Sequence, residues 1–112
     1  MEKELLELFL PEGLLDHFTV VKVASSENIH VYLDEKNQPP VNDQKDSFSS
    51  KGFYHAITIQ DFPIRKKACY LIIRRRKWMN DQTGNLVNNK WRLTAKGTRM
   101  TKELATFLKG TH

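Results

Sequence analysis

Residues 53–78 read FYHAITIQDFPIRKKACYLIIRRRKW, and the fold class follows from this stretch. Phe53, His55, Ile57 and Ile59 alternate with Tyr54, Ala56 and Thr58, the two-residue period of a half-buried strand. Asp61-Phe62-Pro63 reads as a turn that interrupts it, because proline offers no amide to a strand ladder. The chain resumes at Lys67 as a second strand, Ala-Cys-Tyr-Leu-Ile-Ile, which runs into Arg74, Arg75, Arg76 and Lys77. Alternation puts Arg74 and Arg76 on the face of Tyr70 and Ile72, and Arg75 on the face of Leu71 and Ile73. Three arginines cannot all enter one core.

Outward from this stretch, residues 19–24 and 28–33 read as two more strands joined by a Ser-Ser-Glu-Asn hairpin. Leu5, Leu6, Leu8, Phe9 and Leu10 follow Glu2 and Glu4, which suits a short N-terminal helix ended by Pro11; Leu14, Leu15 and Phe18 suit one further helical turn. Residues 34–51 hold two adjacent prolines and almost no periodic apolar positions, so they read as a mobile loop anchored by Phe48. Downstream, the turn formers at 80–85, with Gly84 suited to positive φ, return the chain into a fifth strand at 86–93. Met100, Leu104, Phe107 and Leu108 form one apolar stripe on a C-terminal helix, with Thr98 as its cap and Gly110 as its stop.

The expected architecture is therefore a single α+β domain spanning 1–112. It has a mainly antiparallel sheet of about five strands, a short N-terminal helix and a C-terminal helix. Its expected core is Leu14, Phe18, Val21, Val23, Ile29, Val31, Ile57, Ile59, Leu71, Ile73, Leu104 and Phe107. A chain of 112 residues supports one core and no second catalytic lobe. No apolar run approaches the roughly 20 residues of a membrane-crossing helix and the acidic start is unlike an export signal, so a cytoplasmic location is expected.

Charge divides along the chain. Residues 1–64 carry five lysines against eleven carboxylates, a balance of −6, whereas residues 65–112 carry thirteen cations against Asp81 and Glu103, a balance of +11. A concentration of one sign on this scale attracts polyanions over a Debye length of about 8 Å. Cations interleaved with Trp78 and Trp91 suit phosphate pairing by guanidinium forks. The two indoles either stack on bases or face each other as a core pair. Cys69 is the only cysteine and reads as a strand filler. His17, His30, His55 and His112 show no metal spacing, and the five glycines form no phosphate cradle. Hence no metal, no cofactor and no catalytic residue are expected.

With Tyr54, Ile59, Asp61-Phe62-Pro63-Ile64, residues 70–76 and Thr98-Arg99-Met100-Thr101 in view, the chain resembles the N-terminal region of bacterial insertion-sequence transposases. That family joins a zinc ribbon, a helix-turn-helix and an RNase H-like catalytic domain. The resemblance covers residues 53–108 and, more loosely, the two N-terminal strands. The family's cysteine pairs would fall after Leu33 and after Arg76, and residues 34–51 and 79–89 contain no cysteine. Zinc is not carried over, and the ribbon-like hairpins should be held by apolar packing instead.

The resemblance implies a non-enzymatic DNA-binding module that helps a transposase recognise transposon ends, with catalysis on another polypeptide. Arg74, Arg76, Lys77, Lys90, Arg92 and Arg99 are the expected phosphate contacts, and about six such contacts give a salt slope near −5. The alternative is a protein-interaction module docking on a separately encoded catalytic transposase subunit. The DNA reading requires the cations to form one continuous outward surface, unquenched by the chain's own carboxylates.

Overall fold

The computed structural model describes residues 2–89, 91, 93 and 99–110. Its elements, in chain order, are α1 (Glu2–Glu7), α2 (Leu14–His17), β1 (Phe18–Ser25), β2 (Ile29–Glu35), β3 (Phe48–Phe53), β4 (Ile57–Ile64), β5 (Lys67–Arg74), β6 (Arg76–Asn80), β7 (Leu86–Val87) and α3 (Lys102–Gly110). The α+β class and the two terminal helices are as expected, but among the described residues the strands number seven and form two sheets. The first has the order β1-β2-β5-β4 and the second β3-β6-β7. All pairings are antiparallel except β2 with β5, which run parallel with Val31 opposite Leu71 and Leu33 opposite Ile73.

Two breaks account for the extra sheet. The strand expected over 53–59 is cut at residues 54–56, so Phe53 ends β3 and Ile57 begins β4. The strand running into the arginines is cut at Arg75, with β5 on one side and β6 on the other. The two breaks are joined, since the Tyr54 amide donates to the Arg75 carbonyl at 2.8 Å. The arginine run is thus the seam between two sheets.

Asp61-Phe62-Pro63 is not the turn. It lies inside β4 as an irregularity between Asp61, opposite Cys69, and Ile64, opposite Lys67. β4 is an edge strand of its sheet, where a proline is tolerated. The turn is Arg65-Lys66, two residues with φ of 51° and 67°. Positive φ at both central positions is the signature of a type I′ hairpin, which favours Asn-Gly. For residues with a Cβ, the left-handed region costs about 1–2 kcal/mol each.

The core lies on one face of the first sheet, where Phe18, Leu33, Ile59, Leu71 and Ile73 are almost fully buried under Leu10, Leu14 and Leu15. Removing each such side chain from water contributes roughly 1.5–3 kcal/mol. Three expected core residues are exposed instead: Val21, Val23 and Phe107, each by more than half. Val21 falls where the β1–β2 register shifts between Val20 and Lys22, which leaves Val20 opposite Leu33. Phe107 rests edge-on against Phe62, ring centroids 5.4 Å apart. Among the described side chains of α3, only Leu104 and Ala105, near its start, are buried.

That start is capped by Thr101, which accepts from the Leu104 amide at 3.3 Å and donates to the buried Asp61 carboxylate at 2.8 Å. Thr98, the expected cap, lies outside the described residues. The stretch 34–51 is strand at both ends, since β2 reaches Glu35 and β3 begins at Phe48. The returning strand expected over 86–93 is only Leu86–Val87 among the described residues.

Candidate nucleic-acid interface

Two aromatic residues at the seam are each flanked by two cations. The Phe53 ring lies 4.2 Å from the Arg74 guanidinium carbon and 4.6 Å from that of Arg76. The Tyr54 ring lies 5.5 Å from Arg75 and 5.3 Å from the Lys77 ammonium. This follows from the topology: the break at 54–56 and the break at Arg75 are hydrogen-bonded neighbours, so adjacent residues on each strand face opposite sides of the seam. Phe53, Tyr54, His55, Ala56, Arg74 and Lys77 line an open cleft of about 380 Å³.

The cations differ in what else they touch. Arg74 makes a bidentate pair with Asp34, Nε to Oδ1 at 2.7 Å and Nη2 to Oδ2 at 2.6 Å, and those hydrogen bonds hold its proton more tightly. Arg76 is part of the framework: its Nε donates to the Glu35 carbonyl at 2.9 Å, and Nη1 donates to the Ser50 hydroxyl at 3.0 Å. The Glu35 carboxylate is buried, and it accepts from the Arg76 amide at 3.1 Å and from Asn89 Nδ2 at 3.0 Å. Arg75 and Lys77 have no acidic partner among the described residues, and the buried Nε of Arg75 meets no acceptor. Arg99 is exposed on the far side of β4, where its carbonyl accepts from the Gln60 amide at 2.7 Å. Lys90 and Arg92 lie outside the described residues.

Of the thirteen cations in the second half, ten are described, and among these only Arg74 is held in an ion pair. The acidic first half therefore leaves nine of these ten described cations without an ion pair among the described residues. The surface is not continuous, however. Arg65, Lys66 and Lys67 stand at one end of β5 and Arg74 to Lys77 at the other, about 23 Å apart at strand spacing. Among the described residues, the one continuous, unquenched face expected of a DNA binder is therefore not found: Arg74 is paired with Asp34 and two separate basic ends stand in its place, so that what is left to support DNA binding is the unpaired cations at each end.

The tips of the second sheet, where the resembled family places zinc, do not fit that metal. Asp46 accepts from Asn80 Nδ2 at 2.9 Å and Asn42 Nδ2 at 3.1 Å, and these bonds hold its carboxyl below the ordinary range. Asp81 accepts from the hydroxyls of Ser47 at 3.0 Å and Ser49 at 2.7 Å. The carboxylates are thus occupied by neutral donors. A polar clasp closes the tips, in place of the purely apolar packing expected, while Trp78 fills the interior below. Trp78 does not face Trp91, which stacks on His17 at 4.1 Å and belongs to the first sheet's core.

Cys69 is fully buried, and burial, reinforced by the charge of Asp61, pushes its thiol up to about 11. It is a packed strand residue, unsuited to nucleophilic work at neutral pH. Among the described residues, no three His, Cys, Asp or Glu side chains are placed to share a metal ion, and no helix is long and apolar enough to cross a membrane.

No protein-family model, curated protein or solved structure matches this chain. Sequence reasoning missed Glu35 and the Arg65-Lys66 turn. Glu35 was detectable, because it continues the inward phase of Val31 and Leu33. The turn was hidden by Pro63, which drew the break four residues too early.

Proposed function

We propose that this chain is a non-catalytic DNA-binding module serving an insertion-sequence transposase at transposon ends. The observation that carries the DNA reading is the uncompensated charge: nine of the ten described cations of the second half have no ion-pair partner. Arg75 and Lys77 supply phosphate contacts beside the Tyr54 ring, and Arg99 adds one on the edge of β4. Arg76 acts as a framework residue. Arg74 is available only at the expense of its pair with Asp34. The transposase assignment rests on the resemblance of residues 53–108.

The test is a titration of labelled duplex DNA with the unaltered chain and with Arg75→Ala plus Lys77→Ala. The variant should bind every duplex sequence more weakly, by about the same factor, because phosphate contacts position the protein without reading bases. Equal binding by the two proteins would remove the seam from the interface. Leu5, Leu8 and Phe9 are exposed on and just after α1, and they favour docking on a separately encoded transposase subunit as the second reading. That reading takes over if the unaltered chain binds no DNA and instead co-purifies with the subunit after nuclease treatment.

A further inference from the structure

The β4–β5 hairpin turns through Arg65 and Lys66, both exposed and both at positive φ. Elsewhere positive φ falls at single positions, three of them glycine (Gly13, Gly52 and Gly84) and one a lysine, Lys45; among the described residues only this turn places two consecutive residues with a Cβ there. At this turn, where Asn-Gly is the favoured pair, it places the two longest cationic side chains. Packing does not account for them: neither side chain has a hydrogen bond or ion pair among the described residues. The neighbouring Lys67 is different, since its ammonium donates to the Ser25 hydroxyl at 3.2 Å. The nearby β1–β2 turn carries one carboxylate, Glu27, which is exposed and unpaired with either cation. Strain kept at an exposed position with no internal partner points to an external one.

We propose that Arg65 and Lys66 form a second phosphate-binding point for duplex DNA, at the opposite end of β5 from the seam. This deepens the DNA-binding reading and rests on it. The two points are about 23 Å apart by strand length, within one helical turn of about 34 Å, so both reach phosphates along one face of a duplex. Contact at this turn is to the backbone and carries no sequence preference.

The experiment replaces the turn by its preferred residues, Arg65→Asn with Lys66→Gly, in the full chain. Two quantities are read: the melting temperature, and the affinity for a labelled duplex of about 20 base pairs across a salt series. Relief of strain raises the melting temperature by several degrees, about 5 °C. Loss of two phosphate contacts weakens binding tenfold or more near 0.1 M salt and makes the salt slope shallower by about 1.8. A variant that binds DNA with unchanged affinity and slope overturns the proposal while leaving DNA binding by the seam intact. An unaltered chain that binds no duplex overturns both readings. A labelled polyglutamate peptide is the second probe: a larger loss of affinity toward the peptide than toward DNA would assign the turn to acidic proteins instead. Arg65→Gln with Lys66→Gln, which keeps side-chain length without the charge, must show the same loss of slope.

Discussion

The two ends of β5 carry comparable runs of cations and use them differently. At the seam end, Arg74 is fixed by Asp34 within the first sheet and Arg76 by Ser50 within the second, while the bond from Arg76 to the Glu35 carbonyl joins the two sheets. At the turn end, Arg65 and Lys66 have no partner among the described residues and sit on backbone that disfavours them. A dense cationic motif is therefore no measure of charge available to a ligand. The conspicuous arginine run is half structural, while a less conspicuous dipeptide is free.

Glu35→Ala leaves the Arg76 amide and Asn89 Nδ2 without their acceptor in a buried site, and should destabilise the fold by about 3 kcal/mol in urea unfolding. A loss below about 0.5 kcal/mol would mean that the seam is not held there. Arg76→Ala should cost about 2 kcal/mol through the Glu35 and Ser50 bonds, whereas Lys77→Ala should leave stability nearly unchanged and lower DNA affinity. Equal effects of the two on unfolding would erase the distinction between framework and free cations.

Asp34→Asn should release Arg74 from its internal pair. The salt slope should become more negative by up to about 0.9, the contribution of one more phosphate contact, and an unchanged slope would show that Arg74 stays internal.

The smallest effect concerns Asp61, in the strand that leads to the turn. Burial raises its pKa in the fold, against the opposing Thr101 hydroxyl and Phe62 amide, with Glu103 adding to the rise. The folded state thus binds this proton more tightly than the unfolded chain, and ionisation of Asp61 lowers stability as pH rises through the raised value. Asp61→Asn should flatten that part of the pH–stability curve and slightly raise the melting temperature at neutral pH. Asp46 works in the opposite direction, because its lowered pKa stabilises the fold above the ordinary aspartate range and is lost on acidification. The Asn variant should therefore still lose stability at low pH.

Much of the first sheet was legible from alternation alone. Val31, Ile59, Leu71 and Ile73 are buried in the phase that the sequence shows. What alternation could not reveal was the division into two sheets, because it requires breaks at residues 54–56 and Arg75 that carry no glycine or proline. Pro63 misled for the converse reason: an edge strand accommodates it without turning. The misplaced Val21 reflects a register shift, which reverses the facing of every later residue on the strand and leaves no mark in composition. Of the expected site, Lys77 and Arg99 have no ion-pair partner among the described residues, whereas the Arg74 pair needed the β2–β5 register that puts Asp34 beside it.

On the proposed function, the unpaired cations at both ends of β5 and on the edge of β4 bind DNA phosphates. The most direct measurement is the affinity of the unaltered chain for duplex DNA as a function of salt. With Arg75, Lys77, Arg99, Arg65 and Lys66 engaged, log affinity should fall against log salt with a slope of about −4.5. A slope near zero, or no measurable binding at low salt, would contradict it.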